Sequence, residues 1–131
     1  MNRVLRRVVI GLIASTVVTG MAPAQPVQEI TVQAKRVPTV KVLGRTSSSA
    51  FIREISLTSG VTTEGLDLSS SAGADALAKR VHDAADAACR EIGQKYPDST
   101  PSDRECARVA ADEAMVRVRE LVATAQKRAA K

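Results

Sequence analysis

The stretch Cys89-Arg90-Glu91-Ile92-Gly93-Gln94-Lys95-Tyr96-Pro97-Asp98-Ser99-Thr100-Pro101-Ser102-Asp103-Arg104-Glu105-Cys106 decides the fold. Gly93 to Pro101 is the only clear break in a long helical region, and its midpoint lies between Pro97 and Asp98. Cys89 and Cys106 are equidistant from that midpoint. In an antiparallel helical hairpin such residues lie opposite each other, so the two cysteines are expected to pair.

The flanking periodicity agrees. Ala74, Leu77, Val81, Ala84 and Ala88 recur at helical spacing before the break, and Ala107, Ala111, Ala114, Val118, Leu121 and Ala125 recur after it. Both read as seams for helix–helix contact, with each cysteine at the flank of its seam. Ser69, Ser70 or Ser71 can cap the first helix. Thr100-Pro101-Ser102-Asp103 reads as a cap residue, a proline at the first helical position and an acid three after the cap. Alanine seams bury little area per residue, so a domain this small needs help. Closing a loop of about 18 residues supplies roughly 3 kcal/mol in the chain-entropy model. The disulfide therefore reads as structural. A redox pair would want a CxxC motif at a helix N-terminus, and neither cysteine has that setting.

Upstream, residues 1–24 read as a secretory signal peptide. Arg3, Arg6 and Arg7 form a positive start, Val8 to Gly20 an apolar run, and Ala22-Pro23-Ala24 a cleavage site, placed after Ala24. The competing reading is a membrane anchor. A helix over that run rises only about 20 Å, short of the roughly 30 Å hydrocarbon core, and no later segment is apolar enough to span. The expected location is the periplasm or the cell exterior, where two cysteines should be oxidised.

Composition narrows the function classes. The whole chain of 131 residues carries a formal charge of +5. Removing residues 1–24 takes three arginines and no acid, which leaves 16 bases against 14 acids. A nucleic-acid partner or an acidic lipid surface loses its support. One Phe, one Tyr and no Trp leave little for stacking on bases. One His and two Cys are too few for an ordinary zinc site, so neither metal nor cofactor is expected.

Residues 25–68 are rich in Val, Thr and Ser. Ile30-Thr31-Val32, Val37 to Leu43 and Phe51 to Leu57 read as short strands, with Gly44 to Ser49 a loop, and Gly60 and Gly65 bracketing a second connector. Two arrangements stay open: a small sheet against the helical hairpin, or a mobile extended arm over residues 25–49 ahead of a domain at 50–131. Either way the fold class is α+β, short N-terminal strands followed by a disulfide-linked antiparallel two-helix hairpin.

At Leu66-Asp67-Leu68-Ser69-Ser70 a recognisable pattern begins. Ile55-Ser56-Leu57, Gly65-Leu66-Asp67-Leu68-Ser69, Ala72-Gly73-Ala74 and Ala84-Ala85-Asp86-Ala87-Ala88-Cys89 stand in order, followed by Arg104-Glu105-Cys106. From Ile55 to the end of the second helix the chain resembles the UrcA family, small exported proteobacterial proteins without an established biochemical role. The family often has an aromatic residue ahead of Leu-Asp-Leu, where this chain has Thr62-Thr63-Glu64-Gly65. The resemblance implies an exported α+β domain and carries no catalytic residues. Physically, Leu66 and Leu68 suit a plug for the end of the alanine-rich hairpin, and Asp67 a cap for the turn or helix that follows.

Glu29-Ile30-Thr31-Val32-Gln33-Ala34 resembles the TonB box of outer-membrane receptors, which is captured by strand addition. A plain edge strand is the simpler reading, since six residues of β-propensity are common. His82, on a helix flank, reads as a solvated side chain, and Asp75–Lys79 and Glu113–Arg117 as surface pairs at i,i+4. The expected function is a non-enzymatic interaction or structural module with a protein partner. TonB through Glu29 to Ala34, a second copy through the alanine seams, and a cell-wall enzyme inhibited through the loop Gln94 to Ser99 are the candidate routes.

Overall fold

The computed structural model describes residues 25–38 and 54–131. The signal-peptide reading of 1–24, the Gly44–Ser49 loop, and the 39–43 and 51–53 parts of two expected strands lie outside the described residues.

The elements run β1 (Glu29–Pro38), β2 (Ile55–Thr62), α1 (Ser71–Lys95), β3 (Ser99–Thr100) and α2 (Asp103–Ala129). The strands form one antiparallel sheet in the order β2-β1-β3. The fold is α+β, with α1 and α2 antiparallel and joined by the Cys89–Cys106 disulfide.

Strict alternation makes β1. Ile30, Val32, Ala34 and Arg36 point inward, while Glu29, Thr31, Gln33 and Lys35 stay exposed. The β1–β2 register runs from Glu29 opposite Thr62 to Arg36 opposite Ile55, and β3 adds Thr100 opposite Val37 and Ser99 opposite Pro38. Ile30, Val32, Ala34 and Val61 pack with Leu77, Val81 and Ala85 of α1 and with the alanine face of α2. Residues 29–38 are thus built into the sheet, with Ile30, Val32 and Ala34 in the core, and a free arm is not their state here. β1 runs through Pro38, and the expected separate strand at Val37 begins inside it.

Gly60 lies within β2 and does not open the expected connector between Gly60 and Gly65. The Glu29 side chain covers the place where a Cβ would stand. The real connector runs from Thr63 to Ser70 and turns at Gly65, whose φ of 73° suits glycine. Arg80 fixes it from α1 by donating to Thr62 O (2.9 Å) and Glu64 O (3.0 Å).

Ser70 caps α1, its Oγ accepting from Gly73 N at 3.0 Å. The cap of α2 is Ser102, not Thr100, with Glu105 N donating to Ser102 Oγ at 3.4 Å. Thr100 is taken up by pairing with Val37, which leaves Pro101 outside the helix. All six expected seam residues of α2 are buried, together with Cys106 and Ala110. On α1 the buried face is Gly73, Leu77, Val81, Ala85, Ala88, Cys89 and Ile92, and Ala74 and Ala84 are only half-buried. The face is displaced because α1 packs on the sheet as well as on α2. For the same reason both cysteines lie inside the core rather than at its flank. The sheet covers the alanine seams, so they offer no surface to a second copy.

On the solvated faces Lys79 pairs with Asp83 (2.6 Å) instead of Asp75, since acids stand four residues away on both sides. Arg117 pairs with Glu120 (2.9 Å) instead of Glu113, because its other nitrogen donates to Gln28 Oε1 (3.2 Å). Among the described residues no helix is long and apolar enough to cross a membrane.

Candidate functional site

The two ends of the hairpin differ in chemistry. At the turn end Cys89 and Cys106 bring their Cα atoms to 5.8 Å. Beside them Arg36, at the last inward position of β1, is only 4% exposed. Its Nη2 donates to Ser99 O (2.7 Å), and its Nη1 donates to Cys89 O (3.4 Å) and pairs with the Asp103 carboxylate. One guanidinium therefore ties β1, α1, β3 and α2 together. Gly93 leaves the room, since a methyl there would run into both members of the ion pair. Nothing in a Lys35-Arg36 dipeptide announces this role. The signal was the alternation 30-32-34-36, carried one residue past the last apolar one.

Asp103 is 54% exposed, so water can replace it in part. Asp103→Ala leaves a buried cation with carbonyl partners only, and should lower the unfolding free energy by about 1–2 kcal/mol in urea titration. An unchanged midpoint would mean that the two carbonyls suffice.

At the opposite end, Gln25–Gln28, Thr63–Ser69 and the last turns of α2 surround a half-open, largely apolar groove of about 660 Å³. Leu68 is buried and Leu66 half-buried, and both line the groove with Leu121 and Ala125, as the plug reading expects. Asp67 turns outward. Its Oδ1 accepts from Ser69 N (3.0 Å), Ser69 Oγ (2.5 Å) and Gln25 Nε2 (3.2 Å). The Ser69 hydroxyl chiefly, then the Ser69 amide, hold its carboxyl below the ordinary aspartate value. Asp67 thus organises the turn, while Ser70 caps the helix. An acid held ionised and already bonded is poorly placed to deliver a proton near neutrality. Arg128 borders the groove and can attract an anionic group.

Glu29 to Ala34, read as a TonB-box-like segment, form most of the middle strand. Ile30, Val32 and Ala34 are core residues, and only Glu29, Thr31 and Gln33 present side chains to solvent. Capture of this segment as a free peptide would require β1 to leave the sheet. The expected loop Gln94 to Ser99 is shorter in the structure, since α1 runs through Lys95 and β3 starts at Ser99; the segment is exposed from Gln94 to Asp98 and pinned at its end. There Ser99 is buried, and its N and Oγ donate to Tyr96 O at 3.0 and 2.6 Å. His82 is exposed, and its neighbour Asp83 is engaged by Lys79. Among the described residues no three His, Cys, Asp or Glu side chains come together to hold a metal ion.

No family model, curated protein or solved structure matches the chain.

Proposed function

We propose that the chain is an exported, non-enzymatic interaction module of the UrcA type that works in the periplasm. The observation that carries this reading is the buried Cys89–Cys106 pair. A core that closes around a disulfide is suited to an oxidising compartment. The signal-peptide pattern at 1–24 supports export independently. A binding role is supported by how the polar groups are used. Arg36, Asp67, Arg80 and Asp103 hold elements together, and on the helix faces Lys79–Asp83, Glu91–Lys95, Glu105–Arg108–Asp112 and Arg117–Glu120 pair with each other.

A second reading, inhibition of a cell-wall enzyme, is favoured by the segment Gln94 to Ser99, whose loop proper is Tyr96 to Asp98. The loop is exposed at its tip and tied at its base by the disulfide and Arg36, the preorganisation an inhibitory loop needs.

The test is to express the whole chain with its own N-terminus and fractionate the cells. The expected product is released by osmotic shock, begins at Gln25 and has no alkylatable thiol. Photo-crosslinkers at Tyr96 and at Arg128 then report whether the loop or the groove end meets a partner. A cytoplasmic, full-length product with both thiols reactive would overturn the reading.

A further inference from the structure

The two edges of the sheet are not alike. β1 packs against α2, which makes its sheet contacts on that strand, and β3 pairs with its far end at Val37 and Pro38. It also carries Glu29, Lys35 and Arg36. β2 packs against α1 on its inner face and pairs with no strand on its outer side among the described residues.

The hydrogen-bond phase shows which groups β2 leaves open. Thr63 N donates to Gln28 O at 2.9 Å, one register step beyond Glu29 opposite Thr62. The directly bonded pairs therefore fall at Ile30–Val61, Val32–Ser59, Ala34–Leu57 and Arg36–Ile55. The backbone groups of Ser56, Thr58, Gly60 and Thr62 turn to the outer edge. Thr62 O meets Arg80 there, which agrees with that phase. Ser56, Thr58 and Gly60 remain. From Ile55 to Thr62 the strand holds no charge and no proline, the devices that usually keep an edge from pairing.

The geometry points to a second copy of this chain bound along β2, so that two sheets join into one of six strands about a two-fold axis. A neutral edge meets its own copy without like-charge repulsion. The flanking charges select the register. With Thr58 opposite Thr58 of the second copy, Glu54 falls opposite Thr62, whose carbonyl holds the Arg80 guanidinium of that copy. One step further on, Glu54 would oppose Glu64 of the second copy, a like-charge contact. On the flank of α1 that carries Arg80, Ala76 and Ala84 stand one turn to either side and Ala87 follows, with Asp83 beside them held by Lys79. This leaves room for the α1 of the second copy as the two sheets meet. The assignment goes beyond the proposed binding role and does not depend on export.

Sedimentation of the oxidised protein, purified as the cell processes it, tests this directly. The expected species at tens of micromolar is a dimer. Thr58→Lys places two cations at the axis and should weaken association by at least about tenfold, with unchanged circular dichroism. Thr58 lies on the solvent face, so the variant keeps its fold. In the paired register the Cα atoms at position 58 stand about 5.5 Å apart, within disulfide reach. Thr58→Cys should therefore cross-link between chains on oxidation, and Thr31→Cys, on the same face of the middle strand, should not. A monomeric wild type at millimolar concentration, a Thr58→Lys variant that stays dimeric, or equal cross-linking at position 31 would overturn the proposal.

Discussion

Gly73→Ala is expected to destabilise the chain by about 2–3 kcal/mol, although alanine is favoured over glycine inside a helix by roughly 1 kcal/mol. Gly73 is buried in the first turn of α1, and a methyl there would overlap the backbone carbonyl of Asp67. That carbonyl has no freedom to retreat, because Ser70 N (3.2 Å) and Ser70 Oγ (2.8 Å) both donate to it. Either the cap at Ser70 opens or the turn carrying Leu68 lifts from the core. Gly60→Ala is the matched control. It meets only the Glu29 side chain, whose flexible end can move aside, and should stay within about 0.5 kcal/mol of the parent. Urea midpoints compare the two. A Gly73→Ala chain as stable as the parent would show that the close approach of the Asp67 turn to α1 is not required.

Removing the disulfide should cost a similar amount for a different reason. The buried faces of α1 and α2 are rich in alanine, and large side chains are few on α2. The Cys89→Ala, Cys106→Ala chain loses about 3 kcal/mol of loop-closure contribution, and two buried sulfur atoms leave the core with it. At the sensitivity typical of a domain near this size, the melting temperature should fall by roughly 12–20 °C. Thermal unfolding of the parent with and without a reductant should reproduce the drop. A reduced protein that melts with the oxidised one would mean that the sheet and Arg36 hold the hairpin without help.

The helical hairpin was legible in the sequence because its signals are local. Symmetry of Cys89 and Cys106 about a proline-containing break specifies the pairing, and the period of Ala107 to Ala125 specifies the buried face of α2. The sheet was less legible because its decisive relations are between distant residues. Gly60 and Ser59 have turn composition, yet pairing with Thr31 and Val32 makes them strand. Thr100 and Pro101 have the chemistry of a helix start, yet Val37 claims Thr100 and moves the cap to Ser102.

The same limit applies to the candidate sites. Leu66-Asp67-Leu68 carried its own reading, a plug and a turn organiser, because alternation and an Asx–Ser pair act within a few residues. Arg36 did not, since its partners Cys89, Ser99 and Asp103 lie far along the chain. Segment 29–34 has the composition of an accessible extended peptide and of a central strand alike. Only the packing of Ile30, Val32 and Ala34 against α1 and α2 separates the two.

Hydrogen exchange at single-amide resolution, recorded at low and at high protein concentration, tests this arrangement most directly. The Ile30, Val32 and Ala34 amides should be protected as strongly as the centre of α1 at both concentrations. The Ser56, Thr58 and Gly60 amides should gain protection only at the high one. Rapid exchange at Ile30, Val32 and Ala34 beneath fully protected helices would contradict it, making residues 29–34 a free arm open to strand addition.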